Sequence, residues 1–369
     1  MKAKQNNILK IILFFILTIS LLPVNAQIAK KLDSVAKVYV SKGFNGNLLF
    51  SRNDSILFTG NYGYRDLNYK VPLNNETLFE LASVSKQFTA LAIVQLVEKN
   101  LLNYTTKVNE IIKGFPYQDI TIEHLLRHQS GLQDYKKLLY RKKNWNRKRM
   151  ATHHDVVQLL MRLKPDLLFE TGAKYDYNNT GYALLAVIIE KLSGQSYGEY
   201  IKEQIFIPSG MTQSKVYRMD NKQESYENVA VGYTYNKRTK KYQNVEKDKN
   251  HKHIHWMNGI VGDRGISSSI VDMEKWKQAL RNNVLVNADS WKRMTSVDSV
   301  SPKYGFGFAI YETKTKGKWV YHNGSWSGYK TSAIYLPDSN EYLVILSNNR
   351  FEETYKKMED DLYKVIQQL

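Results

Sequence analysis

The chain of 369 residues carries 53 Lys and Arg against 35 Asp and Glu, a formal net charge of +18, with 43% hydrophobic residues and no cysteine. The apolar share is enough to bury a sizeable core in one large two-lobed domain or in two domains. The missing cysteine excludes a lipid-modified anchor and a disulfide framework; the positive balance favours acidic surroundings such as anionic envelope polymers.

Lys2, Lys4 and Lys10 precede an apolar run from Ile11 to Leu22, followed by Pro23, Val24, Asn25 and Ala26. This order reads as a secretory signal peptide over 1–26, cleaved near Ala26/Gln27. The run is about a dozen residues, short of the roughly 20 needed to span a bilayer. The expected product is periplasmic or secreted, with no stable membrane insertion. Next, "GFNGNLLFSRNDSILFTGNYGYRD" places two strand-like runs around Asn53-Asp54, a hairpin signal. A helix apolar almost all round, hence buried, follows Ser83. From about 91 to 254 the pattern is mostly helical, and Gly194 stands where a C-terminal cap belongs in "GYALLAVIIEKLSG". Within this region "YKKLLYRKKNWNRKRM" (135–150) has eight Lys or Arg interleaved with aromatics. An exported chain seldom meets nucleic acid, so this stretch is read as a solvated surface and no nucleic-acid partner is expected.

After about Asn258 the pattern changes. "GISSSIVDMEKWKQAL" predicts a helix capped by Ser269 or Asp272. "YGFGFAIY", "KGKWVYHNG", "KTSAIYLP" and "EYLVILSNN" predict consecutive strands, and Glu352–Leu369 a helix with Met358, Leu362, Val365 and Ile366 on its apolar face. Strands at both ends and helices between predict a two-lobed α+β fold, one domain over 27–369. The end segments (about 27–90 and 255–369) would pair in one antiparallel sheet flanked by helices. The inserted, mainly helical lobe would span about 91–254.

Ser83 and Lys86 are spaced to share a helical face. A serine hydroxyl needs a base to become nucleophilic, and a lysine can be one when burial or a neighbouring cation lowers its pKa. A helix start adds free N–H groups suited to a developing oxyanion. Alone, Ser-x-x-Lys is a weak pattern that reads rather as a helix cap with a snorkelling lysine. Ser85 adjoins the lysine and points elsewhere. "KYDYNNTGY" adds Tyr177, able to shuttle a proton, and Asn179, able to orient a carbonyl or the lysine. "WVYHNGSWSG" adds His322 and Gly324 at a strand end, where the following N–H could complete an oxyanion hole. "GSWSG" itself has Trp326 where a nucleophile elbow needs serine. In "HKHIH", His251, His253 and His255 would share a face if extended; His153 and His154 precede Asp155. No carboxylate or cysteine stands at an obvious complementary spacing, so no metal is expected.

Together, "GNLLFSRNDSILFTGNYGYRDLNYKVPLNNETLFELASVSKQFTALAI", "ITIEHLLRHQSGL", "YDYNNTGYALLAVIIEKLSG" and "GDRGISSSIVDMEKW" resemble the serine β-lactamase and penicillin-binding protein superfamily. The likeness is closest to its class C β-lactamase-like branch of DD-carboxypeptidases, D-amino-acid peptidases and esterases. It covers nearly the whole mature chain. It implies a β-lactamase/transpeptidase-like fold, no cofactor, and acylation of Ser83 with Lys86 as base and Tyr177 as proton relay. Asn179, His322 and Gly324 would contact substrate, and the N–H groups of Ser83 and Ser325 would form the oxyanion hole. His128, in "RHQSG", is expected to pack in a structural turn. Where many members carry Lys-Thr-Gly, this chain has His-Asn-Gly; a mostly neutral histidine is a weaker anion anchor. That favours a small ester, a D-amino-acid peptide or a cell-wall-derived substrate over a β-lactam. A binding protein for peptidoglycan or another envelope polymer, keeping the fold without turnover, is the alternative.

Overall fold

The computed structural model describes residues 25–216, 227–236, 238–350 and 352–368. All but the last two residues of the expected signal peptide lie outside the described residues.

Helix α1 covers residues 25–40 and buries Ile28, Leu32, Ala36 and Tyr39, a stripe at three- and four-residue spacing. Strands β1 (Gly46–Arg52) and β2 (Ser55–Tyr62) form the expected hairpin. Asn53 and Asp54 at its tip have φ of 50° and 62°, the left-handed pair that suits the right-handed strand twist. Helix α2 (Lys86–Glu98) buries every residue from Lys86 to Leu96. Helices α3 (Asn179–Ser193) and α4 (Ile270–Arg281) follow. Gly194 ends α3 at φ 72°, and Ser269 Oγ caps α4 by accepting Asp272 N–H at 3.2 Å. Strands β3 (Ala309–Thr313), β4 (Gly317–Trp326), β5 (Tyr329–Leu336) and β6 (Glu341–Ser347) then run consecutively, and α5 (Glu352–Gln367) closes the chain.

The sheet has the antiparallel order β3-β4-β5-β6-β1-β2. Its centre joins the two ends of the chain, with Gly46 opposite Ser347. Alternation along the strands separates two cores. Leu48, Phe50, Leu343 and Ile345 face α1 and α5, against Ile28, Leu32, Met358 and Leu362. Leu49, Val344 and Leu346 face the other way, into the larger core that holds α2, α3 and α4. There Phe88 of α2 stacks on Trp276 of α4 with ring centroids 4.1 Å apart. Truncating such a buried ring costs roughly 3–5 kcal/mol, so α2 is firmly held. The fold is the α+β arrangement read from the sequence.

The middle of the chain is less purely helical than its pattern suggested. Tyr233–Asn236 and Lys241–Asn244 form a hairpin that pairs in parallel with Asn349–Arg350. Lys215–Val216 and Phe79–Glu80 flank Ile266–Ser268 in a second small sheet. In the basic stretch, Tyr135, Leu138 and Leu139 are buried while Arg141–Lys143 and Arg147–Arg149 are exposed. That is a solvated surface on an apolar footing. No helix among the described residues is long and apolar enough to cross a membrane.

Candidate active site

Ser83 sits in one 3₁₀ turn, Ala82–Ser85, immediately ahead of α2 rather than within it. The turn is sharp because Ala82 has φ +50°, a left-handed conformation costing an L-residue about 1–2 kcal/mol. Neighbouring strands hold it there. Leu81 N–H donates to Ile266 O at 2.8 Å, and Thr331 Oγ1 donates to Leu81 O at 2.7 Å. The serine is thereby presented to a cavity of about 820 Å³ lined also by Lys136, Tyr175, Tyr177, Asn179, Tyr304 and His322.

Lys86, the first residue of α2, is fully buried. Its Nζ lies 3.3 Å from Ser83 Oγ and donates to Asn179 Oδ1 and the Asp263 carbonyl, each at 2.9 Å. The Tyr177 ring centre is 4.9 Å away. No carboxylate forms an ion pair with it among the described contacts. Burial therefore pushes its pKa down to about 7; the Asp263 charge opposes the fall and Lys136 adds to it. Ser85 is turned away, its Oγ accepting Ile266 N–H at 3.2 Å.

Asn179 opens α3. Its Nδ2 donates to Asp134 Oδ2 at 2.8 Å, and since an ionised carboxylate only accepts, the amide oxygen is left facing Lys86. The entry to α3 is anchored by His128, whose Nδ1 accepts Asn178 N–H at 3.1 Å. The His128 ring lies 4.4 Å from that of Tyr177 and 4.6 Å from that of Tyr304, and burial keeps it neutral. The packing role read for His128 is correct, and the packing fixes Tyr177 and Asn179. Tyr177 is 37% exposed along the cavity wall, yet its phenol lies in the crowded space beside Ser83. Burial raises its pKa well above 10, with a hydrogen bond to Ser83 pulling the other way.

His322, Gly324 and Ser325 lie on β4. His322 is buried; Nδ1 is 2.8 Å from the Asn323 carbonyl and Nε2 is 3.0 Å from the Tyr304 hydroxyl. A carbonyl only accepts, so Nδ1 carries the proton and Nε2 accepts from Tyr304. Burial and the Lys86 charge push its pKa down to about 3. It is a neutral wall and no anion anchor. At Gly324 an added Cβ would lie 2.1 Å from Thr331 Oγ1 and 2.3 Å from Leu81 O, so only glycine lets β4 pass this close to the Ser83 turn. Ser325 lines the cavity with Ser83. Trp326 donates Nε1–H to Asn258 Oδ1 at 3.1 Å and stacks under Arg264, a structural use of "GSWSG".

Every site residue read from the sequence thus lies on or beside one cavity. Reading along the chain missed Asp134, Tyr304 and the Asp263 carbonyl. Asp263 was inside a quoted segment, but a backbone acceptor leaves no residue signal. The "HKHIH" histidines do not converge, because the segment is a 3₁₀ turn and a short helix rather than extended. His251 Nδ1 contacts Asp248, His253 Nε2 contacts Ser327, and His255 Nε2 contacts the Glu246 carbonyl.

A family model described as Beta-lactamase matches residues 39–368. The chain belongs to the beta-lactamase family. It is similar to penicillin-binding protein 4* of Bacillus subtilis (strain 168), 37% identical over 320 residues, covering 85% of this chain and 70% of that protein. It is also similar to a D-aminopeptidase of Cereibacter sphaeroides, 26% identical over 334 residues, covering 87% of this chain and 59% of that one. Among solved structures, a penicillin-binding protein from Bacillus halodurans superposes with a TM-score of 0.76 at 25% identity, covering 91% of this chain and 98% of that one. The hydrolase EstCE1 gives the same TM-score at 20% identity over 93% of this chain and 99% of that one, a likeness of fold alone. The protein is a serine hydrolase of the beta-lactamase family.

Proposed function

We propose that this beta-lactamase family member is exported and cleaves an ester or amide through an acyl-enzyme on Ser83. The observation that carries the reading is a buried, unpaired Lys86 whose ammonium lies 3.3 Å from the Ser83 hydroxyl. With its pKa brought down to about 7, Lys86 can take the Ser83 proton near neutral pH as Oγ attacks the substrate carbonyl. The N–H groups of Ser83 and Ser325 receive the oxyanion. Tyr177, kept protonated by its raised pKa, gives a proton to the departing alcohol or amine and is refilled from Lys86. Asn179 holds the lysine and the substrate carbonyl side. Water then hydrolyses the ester on Ser83.

The substrate is read as a small ester, a D-amino-acid peptide or a fragment derived from the cell wall. The names of its relatives support an amide. The neutral His322 in place of a cationic anchor disfavours efficient β-lactam hydrolysis. Among the described lining residues, Lys136, Lys303, Lys330 and Lys356 stand against one acid, Glu359, which supports an anionic group on the acyl donor and contact with anionic envelope polymers.

Intact mass after treatment of the mature protein with a fluorophosphonate tests this. A single adduct is expected, absent in Ser83→Ala and formed slowly in Lys86→Ala. An unmodified folded wild type would overturn the mechanism and leave an envelope-polymer binding protein as the better reading. With the adduct in hand, a panel of esters, D-amino-acid peptides and β-lactams ranks the substrates.

A further inference from the structure

The helix His153–Leu163 opens with two successive histidines, behind a Thr152 cap closed by Asp155. No carboxylate stands near them at a ligand-like sequence spacing, but the fold delivers one. Glu190, on the later turns of α3, places Oε2 3.1 Å from His153 Nε2 and 2.6 Å from His154 Nε2. One donor atom from each of the three residues lies within 4.8 Å of the others, the one such trio found among the described residues.

Three features distinguish this trio from an ordinary surface ion pair. The Glu190 carboxylate is already oriented, because its Oε1 accepts Tyr197 N–H at 2.8 Å and leaves Oε2 to the imidazoles. His153 is buried; its Nδ1 has no hydrogen-bond partner, and its Nε2 has only the 3.1 Å contact with Glu190 Oε2. A metal on Nε2 would complete that nitrogen's bonding and share the Glu190 oxygen with it. His154 is 57% exposed, so an ion has a path in from solvent and the outer ligand has freedom to adjust.

We propose that His153, His154 and Glu190 form a site for a divalent transition metal of the zinc type, with water completing a tetrahedron. Two imidazole nitrogens and one carboxylate oxygen suit zinc, nickel or copper rather than magnesium or calcium. Bonds of about 2.0–2.1 Å in a tetrahedron need donor atoms roughly 3.3 Å apart. The 3.1 Å between His153 and Glu190 is already close to that, and a rotation of the exposed His154 ring opens its 2.6 Å contact toward it. The site is remote from the cleft, since Glu190 and Asn179 are eleven residues apart on α3, about 16 Å along the axis. Its effect is to clamp the start of the His153–Leu163 helix to α3.

The test is calorimetric titration of ZnCl2 into tag-free full-length mature protein stripped with EDTA, with His154→Ala and Glu190→Gln alongside. Both variants are chosen to fold: His154 is exposed, and glutamine keeps an oxygen for Tyr197 N–H. One equivalent binding in the micromolar range is expected, weakened at least tenfold in each variant. Magnesium should give no binding. Saturating zinc should raise the Tm of the wild type by a few degrees, and not that of the variants. No saturable zinc binding below about 100 µM would overturn the proposal. So would equal affinity in wild type and both variants, which would assign the metal to other histidines.

Discussion

Lys86 and Lys277 are both fully buried, one on the floor of the cleft and the other between α4 and the sheet. Lys277 Nζ lies 2.9 Å from Glu274 and 3.0 Å from Asp54, and Glu274 is held in turn by Ser51 Oγ at 2.6 Å. Lys86 meets only neutral oxygens: an amide, a carbonyl and the Ser83 hydroxyl. The nearby carboxylates make no ion pair with it: Asp134 Oδ2 accepts from Asn179 and Asp263 Oδ2 from Tyr135. Burial of a lysine therefore does not by itself make a base. Where carboxylates share the buried space, the ammonium belongs to the architecture. Where they are kept from it, desolvation dominates and the amine becomes reactive near neutral pH.

Substitution separates the two roles most sharply. Lys86→Ala is expected to slow fluorophosphonate labelling of Ser83 by about 10²–10⁴, with a smaller loss of stability than Lys277→Ala, because it leaves only the neutral acceptors Asn179 Oδ1 and Asp263 O, at about 1–3 kcal/mol, and strands no charge. Lys277→Ala should do the reverse. It strands Glu274 without its partner, at about 3–5 kcal/mol in urea unfolding, while folded protein labels at close to the wild-type rate. If Lys86→Ala destabilised as much as Lys277→Ala and labelled normally, the contrast would be wrong.

The pH dependence follows from the same difference and is the next largest effect. Labelling should rise about tenfold per pH unit below neutrality and level off above about 7, where Lys86 becomes neutral. Stability carries the matching sign. The folded pKa of about 7 lies below the 10.5 of a free lysine, so between them the unfolded chain binds the extra proton. The Lys86 penalty is full below pH 7 and relaxes as pH rises toward 10.5. Unfolding of wild type and Lys86→Met from pH 6 to 10 should show the wild type gaining relative to the variant. A constant gap would mean that Lys86 is not neutral in the fold.

The Ser83–Lys86 half of this contrast was legible in the sequence through the motif resemblance, because the two residues are local, three positions apart across the 3₁₀ turn that leads into α2. The central sheet was legible for the same reason: Leu48, Leu49 and Phe50 and Leu343 to Leu346 are apolar throughout, bounded by turns, as strands covered on both faces must be. What stayed hidden depends on contacts between distant segments. Asp134 and Tyr304 carry no local pattern, and Asp263 serves Lys86 through its backbone. Glu190 is far from His154 in the chain and meets it only because α3 packs on the preceding helix. The 233–244 hairpin was hidden differently: its strands are polar, short and partly exposed, so neither periodicity nor a run of apolar residues marked them.

Tyr304 gives the smallest and most discriminating effect. Its hydroxyl donates to His322 Nε2 at 3.0 Å, and His322 spends its one N–H on the Asn323 carbonyl. Tyr304→Phe removes a donor and leaves a buried acceptor, at about 1–3 kcal/mol of stability. Labelling of Ser83 should fall less than tenfold, because neither Tyr304 nor His322 exchanges protons with the serine in the mechanism proposed. The labelling profile should also keep its single rise near pH 7. With a pKa of about 3, His322 is already neutral across the working range and has no charge to lose. A second step between pH 5 and 7 in the variant, or a loss beyond a hundredfold, would show that the wall of the cleft takes part in proton transfer and that Lys86 does not carry the chemistry alone.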